Sequence, residues 1–395
     1  MIDKRIKKKL ETIEHHSKMT CKVFQCKFTN LSKDQELYFY RLFKEAKYFY
    51  NDLLLSNNIF NYDCKNNICI IKNVLTNNYE CRHLFELSSQ MKQEIYKRFK
   101  TNIKSLSTKK KKGKVNEVGK LKFKSEINSI PLKQYGVTYK IKNNRIYIQS
   151  CKLKKGFRLL GLHQIPDNAD ICNATLYKNN KDYYIYITTF IPKEIKQRKG
   201  VIGLDLGLRT TVTDSNGNEY KWLFEETKKL KYYQQKMQRQ KYHSNNWFKT
   251  YKLFKKEHLR IINRKTDAVN KFIHELDQYK LVAYQNDNIH AWAKSRMRGW
   301  GKKIQHSIIG RIKSKIEKLE TSYKIDRWVA TTKLCPCCNT KNEIKLQDDE
   351  NLYYSCKCGY LEKRDIHSAK NILNIALKAT GMDRACELGS GSLNF

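Results

Sequence analysis

The 395-residue sequence contains no apolar run of about 18 residues or more, the length a membrane-spanning helix needs. Its basic N-terminus, MIDKRIKKKLETIEHH, is followed by neither an apolar stretch nor a small-residue cleavage site, so no secretory signal is read there. Acidic residues are scarce. There are 38 Asp and Glu against 79 Lys and Arg, a formal net charge of +41. A surplus of this size points to a polyanionic partner, because neutralising nucleic-acid phosphates releases condensed counterions. A basic membrane-surface protein or Lys-favouring codon usage would leave a similar imprint. The 13 cysteines are odd in number and scattered apart from one cluster, which argues against a disulfide framework. They favour a reducing cytosol and one metal site. A hydrophobic fraction of 40% excludes global disorder, and the length suggests two or three domains.

What is present falls into blocks. Residues 19–30 alternate as a strand. Ser32 to Gln35 resembles a capping box opening a helix, with Phe39, Leu42, Phe43, Ala46, Tyr50 and Leu53 near one face. A second helix is predicted over 84–106, followed by a lysine loop, Lys109, Lys110, Lys111 and Lys112, closed by Gly113. That loop is either merely solvated or a phosphate contact. Residues 120–192 read as strands, with Asn143-Asn144 and Asn179-Asn180 as hairpin turns. Tyr183, Tyr184 and Tyr186 there favour sheet packing over base stacking. From Lys199 an antiparallel meander with an Asn216-Gly217 turn opens an α/β domain. Long helical material fills 224–278, the strand LVAYQ follows, and 303–323 is again helical. A last helix starts near Asp365 and carries Ala369, Ile372, Leu373 and Ala376.

Cys335, Cys337, Cys338, Cys356 and Cys358 lie in one short window. Cys335-x-x-Cys338 has the spacing of a zinc knuckle, in which two thiolates converge around a tight turn. Cys356-x-Cys358 is a tighter second arm, and a four-thiolate tetrahedral site is expected. Cys337 is a spare, or an alternate for Cys338. No histidine or water-activating residue sits in the motif, so the zinc role is structural.

Two carboxylates stand out. Asp205 lies inside the apolar strand VIGLDLG, where an unpaired charge costs several kcal/mol. Nothing local pairs with it, which suits a metal ligand. Asp365, in KRDIHSAKNIL, opens a helix and taken alone reads as an N-cap. An Asp on a first strand, an acidic position ending a later strand and an Asp opening a C-terminal helix together form the layout of an RNase H-like nuclease. Such sites hold two divalent ions about 4 Å apart, and hard Mg²⁺ prefers carboxylate ligands.

GLDLG, the helix IINRKTDAVNK with Asn263, Arg264 and Asp267, WVATTKLCPCC and CGYLEKRDIHSAKNIL resemble the transposon-encoded TnpB (OrfB) family, related to compact type V CRISPR effectors. The resemblance is strong over 199–378 and weaker over 19–192. It implies an RNA-guided DNA endonuclease with a RuvC-type site, cytoplasmic and nucleoid-associated, of prokaryotic type. A guide RNA supplies recognition by base pairing, and the protein reads a short motif in double-stranded DNA. The implied fold is multidomain, α+β with α/β. A wedge β-barrel spans 1–30 and 114–198, with an inserted helical recognition lobe at 31–113. A RuvC-like nuclease domain spans 199–327 and 361–395, with a zinc-binding insertion at 328–360. Asp205 and Asp365 match the first and third catalytic carboxylates, and Cys335, Cys338, Cys356 and Cys358 the zinc ligands. Most members carry Glu where this chain has Gln285. Others carry the acid two residues later. Side chains two apart on a strand share a face, so Asp287 is the expected middle ligand.

Competing functions divide on that position. Asp205 and Asp365 favour an active Mg²⁺-dependent nuclease. Gln285 favours a nuclease-impaired, guide-directed DNA-binding repressor. A transposase proper is a third option, weakened by the lack of an obvious catalytic tyrosine setting.

Overall fold

The computed structural model describes residues 4–56, 59–73, 77–113, 121–180, 182–194, 196–294, 299–342 and 353–382. The chain divides into two compact units, Met1–Glu194 and Ile195–Phe395. The tail beyond residue 382 and the segment 343–352, both within the domains expected from sequence, lie outside the described residues. Among the described residues no helix is long and apolar enough to cross a membrane.

The first unit starts with α1 (Lys4–Ser17), β1 (Met19–Phe28) and α2 (Lys33–Leu55). The predicted capping box is present in full. The Ser32 hydroxyl accepts from the Gln35 amide N–H, and Gln35 reaches back to the Ser32 N–H. All six residues expected on the apolar face of α2 are buried. A hairpin of β2 (Ile68–Lys72) and β3 (Tyr79–His83) precedes α3 (Ser89–Lys111). The second helix was expected from residue 84, but Ser88 caps it, accepting from the Met91 N–H. The lysine run is likewise not a loop. Lys109, Lys110 and Lys111 form the last turn of α3, Lys112 is its C-cap, and Gly113 takes a left-handed φ of 63°. Cations there oppose the negative end of the helix dipole.

Then follow β4 (Ser129–Leu132), β5 (Tyr139–Lys142), β6 (Arg145–Ile148), β7 (Phe157–Leu160), β8 (Asp170–Asn179) and β9 (Asp182–Pro192). They join β1 in a seven-stranded antiparallel sheet of order β4-β8-β9-β1-β7-β6-β5. Asn143 and Asn144, at φ 51° and 55°, make the expected hairpin turn. The later turn sits one residue further on than expected, because Asn179 still pairs with Asp182. The link from β4 to β5 is pinned to the irregular stretch of β8. The Tyr135 N–H and the Tyr139 hydroxyl both donate to the Cys172 carbonyl, at 2.9 and 3.1 Å. The two edge strands are thereby drawn together into a barrel-like sheet. Helices α2 and α3 share one core with it, where Phe39 stacks on Tyr183 at 4.6 Å. Tyr183 is thus a packing residue, as favoured from sequence.

The second unit opens with the predicted meander, β10 (Val201–Leu206), β11 (Val212–Asp214) and β12 (Glu219–Tyr220). Asp214 fastens its turn by accepting from the Asn216 and Asn218 N–H groups, both at 2.9 Å. Helices α4 (Lys228–Gln238) and α5 (Asn245–Leu276) lead to β13 (Leu281–Gln285), parallel to β10. Then come α6 (Ile289–Ala293), α7 (Trp300–His306), α8 (Ile309–Ile316) and β14 (Ser322–Ile325), parallel to β13. The helix expected over 303–323 is broken between α7 and α8, where Ser307 is extended. A hairpin of β15 (Tyr353–Ser355) and β16 (Leu361–Lys363) precedes α9 (Arg364–Thr380). The five-stranded sheet has the order β12-β11-β10-β13-β14.

Strand alternation sorts this sheet into two faces. Ile202, Leu204, Val282 and Tyr284 pack with α5 and α8. Leu281 and Ala283 pack with Ile372, Leu373 and Ala376 of α9. Gly203 permits that approach. A Cβ there would lie 2.8 Å from the Leu373 Cβ and closer still to the Ala369 carbonyl oxygen.

Candidate functional site

Register places the site. Leu204 of β10 pairs with Tyr284 of β13, so Asp205 and Gln285 come next, side by side at the C-terminal ends of parallel strands. Alternation turns both toward α9. Asp365 lies in the first turn of α9, whose N-cap is Lys363. The capping role that Asp365 suggests by itself is therefore not realised. Its carboxylate instead stands 3.5 Å from the Arg364 guanidinium.

Asp205 is pushed up from 3.8 to about 7, first by burial, then by the charges of Asp365 and Asp287. The Ser368 hydroxyl and Arg364 oppose that rise without cancelling it. Asp287 is pushed up to about 6 by burial, against the pull of Lys313. Asp365 and Asp287 thus both bear on Asp205, where their charges add to the effect of burial. The three aspartates do not close into a single chelate. Among the described residues, only the cysteine cluster brings three or more such ligand atoms all within 4.8 Å of one another.

The strand argument for Asp287 needs correction. Strand β13 ends at Gln285, and the Asp287 N–H turns back onto the Gln285 carbonyl at 3.0 Å. Asp287 therefore projects from a turn, not from the pleat. Lys313 of α8 holds that turn, donating to the Asn286 side-chain oxygen at 2.7 Å and the Asp287 carbonyl at 2.8 Å.

Gln285 is buried and fully engaged. Its amide nitrogen donates to the carbonyls of Asp326 (3.2 Å) and Val329 (2.8 Å), and its oxygen accepts from the Thr331 hydroxyl at 3.0 Å. Ser368 lies 3.2 Å from both Thr331 Oγ1 and Asp205 Oδ1. The motif IHSAKN also binds the chain before the cysteines. Asn371 donates to the carbonyls of Thr331 and Leu334, both at 2.7 Å, and His367 stacks on Tyr354 at 3.8 Å. Ser368 could have been found in the sequence, being three residues after Asp365 on a helix. Thr331 has no local signal.

The four expected cysteines meet. Cys335 Sγ lies 3.6 Å from Cys358 Sγ, and Cys338 Sγ 3.5 Å from Cys356 Sγ. Asn339 and Gly359, at φ 55° and 89°, make the two tight turns. Hydrogen bonds from Thr340 bring the Cys338 thiol down to about 6, favouring the thiolate a metal ion needs. Cys337 stands outside the set, so it does not replace Cys338. Four sulfurs at this spacing could hold a zinc ion. Asn263, Arg264 and Asp267 lie exposed on α5, away from any such cluster.

Residues 177–294 match the OrfB family model, described as a probable transposase, and residues 306–372 match the Cas12f1-like TNB domain. No curated protein matches the sequence. The protein chain of a cryo-EM Cas12f1–sgRNA–target DNA complex is similar over 94% of this chain and 87% of that one, at 13% identity and a TM-score of 0.46. The resemblance read first from the motifs is thus matched by the OrfB model over the segment that carries Asp205 and Asp287, and by the Cas12f1-like domain model over the segment that carries the four cysteines and Asp365.

Proposed function

We propose that the protein is an RNA-guided, Mg²⁺-dependent DNA endonuclease of a transposon, working from a RuvC-type, RNase H-like carboxylate site. The observation that carries this reading is the undercompensated acid group. Asp205, on a strand end, is driven toward neutrality first by burial and then by the charges of Asp365 and Asp287, against the opposing pull of Ser368 and Arg364. Such a cluster is unfavourable for a bare fold and suited to divalent ions. Asp205, Asp287 and Asp365 would hold Mg²⁺. Bound there, the ions would supply Lewis acidity toward a phosphodiester and an activated water. The chain's own residues orient the site. Ser368 donates to Asp205, and Lys313 fixes the turn that presents Asp287. Cys335, Cys338, Cys356 and Cys358 would hold a structural zinc. The first unit is read as the wedge barrel with its helical recognition block. The charge of +41 supports a guide RNA and a double-stranded DNA target as partners.

The test is to purify the chain from cells carrying its flanking DNA, sequence the co-purified RNA, and challenge the complex with a plasmid library randomised beside the target. Mg²⁺-dependent cleavage that Asp205→Ala abolishes is expected. Protein that elutes free of nucleic acid in moderate salt counts against the reading. RNA-loaded protein that binds target without cutting it, with or without Mg²⁺, would establish the repressor alternative.

A further inference from the structure

We propose that the outer half of the α4–α5 hairpin is a stacking platform for unpaired bases of the DNA strand that reaches the carboxylate site, with Tyr242 and Phe248 as its exposed rings and Lys252 and Lys255 as its phosphate contacts. The inference deepens the reading above and rests on it for the identity of the strand.

One stripe of α5 changes its surroundings halfway along. Its inner half, Ile261, Lys265, Val269, Phe272 and Leu276, recurs every three to four residues and is buried. Val269, Phe272 and Leu276 pack against β10 and β13. The same spacing continues outward through Trp247, Tyr251, Phe254 and His258, yet none of these joins a core cluster of the described residues. Their rings instead lie near-parallel turn by turn. Trp247 stacks on Tyr251 at 4.9 Å, Tyr251 on Phe254 at 6.5 Å and Phe254 on His258 at 6.1 Å. At the tip His243 turns the chain with a left-handed φ of 61°, and its ring stacks on Tyr242 at 3.9 Å and on Phe248 at 5.4 Å. Tyr242 is 70% exposed and Phe248 42%, so these two rings offer faces to a partner.

Direction places the hairpin at the edge of the sheet that carries the acids. Helix α5 packs on β13, and four residues separate the two, so α5 runs antiparallel to β13. Its start therefore lies toward the C-terminal strand ends of Asp205 and Gln285. Strands β10 and β13 span about 20 Å, and residues 261–276 of α5 alone span about 24 Å. Residues 245–260 thus project past the carboxylate edge. Charge selects the occupant. Residues 228–258 carry ten Lys and Arg and one acid, Glu257, which is buried and bonded to Thr227 and Arg260. Thr250 and Glu257 mark the covered side of α5. Phe248, Lys252 and Lys255 share the open side, and Lys255 Nζ stands 4.6 Å over the Tyr251 ring. A second copy of the chain would set ten cations against ten. Exposed rings interleaved with lysines suit a single strand, whose bases offer π-faces and whose backbone offers phosphates. A duplex hides those faces. The strand is assigned to DNA because the carboxylate site at this edge is read as cutting DNA.

The experiment is photo-cross-linking of the full-length purified protein to a mixed-sequence single-stranded oligodeoxynucleotide carrying iododeoxyuridine, with the adducts mapped by mass spectrometry. Adducts on Tyr242 and Phe248 are expected, displaced by unlabelled single strand and not by the same sequence as a duplex. Phe248→Ala should weaken the binding that the Tyr242 adduct reports by roughly 5-fold or more, and Phe248→Tyr, which keeps the ring, should not. The double variant Lys252→Gln/Lys255→Gln should flatten the slope of log affinity against log salt by about 1.4, the share of two phosphates on a single strand. A strand that binds but cross-links only elsewhere overturns the proposal, and needs no variant to do so. So does duplex that competes as well as single strand, or single-stranded RNA that competes better than DNA. Loss of the adducts to phosphatidylserine vesicles would make the hairpin a lipid contact, and loss with rising protein concentration would make it an interface between copies. Either result overturns the strand assignment. The two readings fail separately. Asp205→Ala removes a proposed metal ligand and should leave the adducts unchanged, whereas a protein that forms them and never cuts DNA upholds the platform and counts against the carboxylate-site reading alone.

Discussion

Replacing Asp205 by Asn should make the Mg²⁺-free protein more stable at neutral and alkaline pH, although it removes a proposed catalytic group. Burial and the charges of Asp365 and Asp287 hold Asp205 near 7 in the folded chain, against an ordinary 3.8. The folded protein therefore binds this proton more tightly than the unfolded one. The sign follows from linkage: wild type is unpenalised below pH about 4, loses stability up to pH about 7, and is level above it. At about 1.4 kcal/mol per pH unit the full penalty is about 4 kcal/mol. Asp205 keeps some contact with water, which screens part of it, so about 2 kcal/mol is the expected gap. For a unit of this size that corresponds to about 4–8 °C in melting temperature. The titration belongs to the coupled group of acids, but Asp365 and Asp287 are common to both proteins. The assay is thermal denaturation of wild type and Asp205→Asn from pH 4.5 to 8, without chelator so that any zinc is retained. The gap should widen with pH and narrow when Mg²⁺ is added, because a bound cation stabilises only the wild-type site. Parallel curves across this range would refute the claim that an undercompensated acid group is built into the fold.

Asp205→Ala and Asp365→Ala should lower Mg²⁺-dependent cleavage by roughly 10²-fold or more while leaving guide RNA binding intact, measured by plasmid cleavage and by electrophoretic mobility shift. If Asp287→Ala cuts normally, Asp287 is not the middle ligand. Cys335→Ser should abolish bound zinc by elemental analysis and lower the melting temperature, whereas Cys337→Ser should do neither, because its sulfur lies outside the four-sulfur set. Gly203→Ala should destabilise the second unit by about 3 kcal/mol in chemical denaturation, because its Cβ would press on the α9 backbone.

Much of this fold is legible locally. The capping box at Ser32, the Asn143-Asn144 hairpin, the meander after Val201 and the buried stripe of α9 all follow from periods and turn chemistry that neighbouring residues alone dictate. The errors are also local in origin. The charge of the lysine run suggests a solvated loop, yet lysine is a good helix former and Gly113 supplies the stop. The helix expected over 303–323 breaks where Ser307 turns the chain, a competition that apolar spacing does not reveal.

The candidate site shows where the boundary falls. By itself the sequence determined which residues carry charge or thiol chemistry. Asp205 inside an apolar strand, the paired cysteines and the excess of lysine are visible without coordinates, because burying a charge or spacing two thiols constrains residue type directly. It did not determine the role of residue 285. There an amide reads as a lost carboxylate, and strand alternation points to Asp287 in its place. Only the tertiary structure ends β13 at Gln285, puts Asp287 on a turn held by Lys313, and brings two carbonyls and the Thr331 hydroxyl around the amide. Those partners lie 41 to 46 residues away along the chain, so hydrogen-bond satisfaction at this position is a property of packing that no local pattern records.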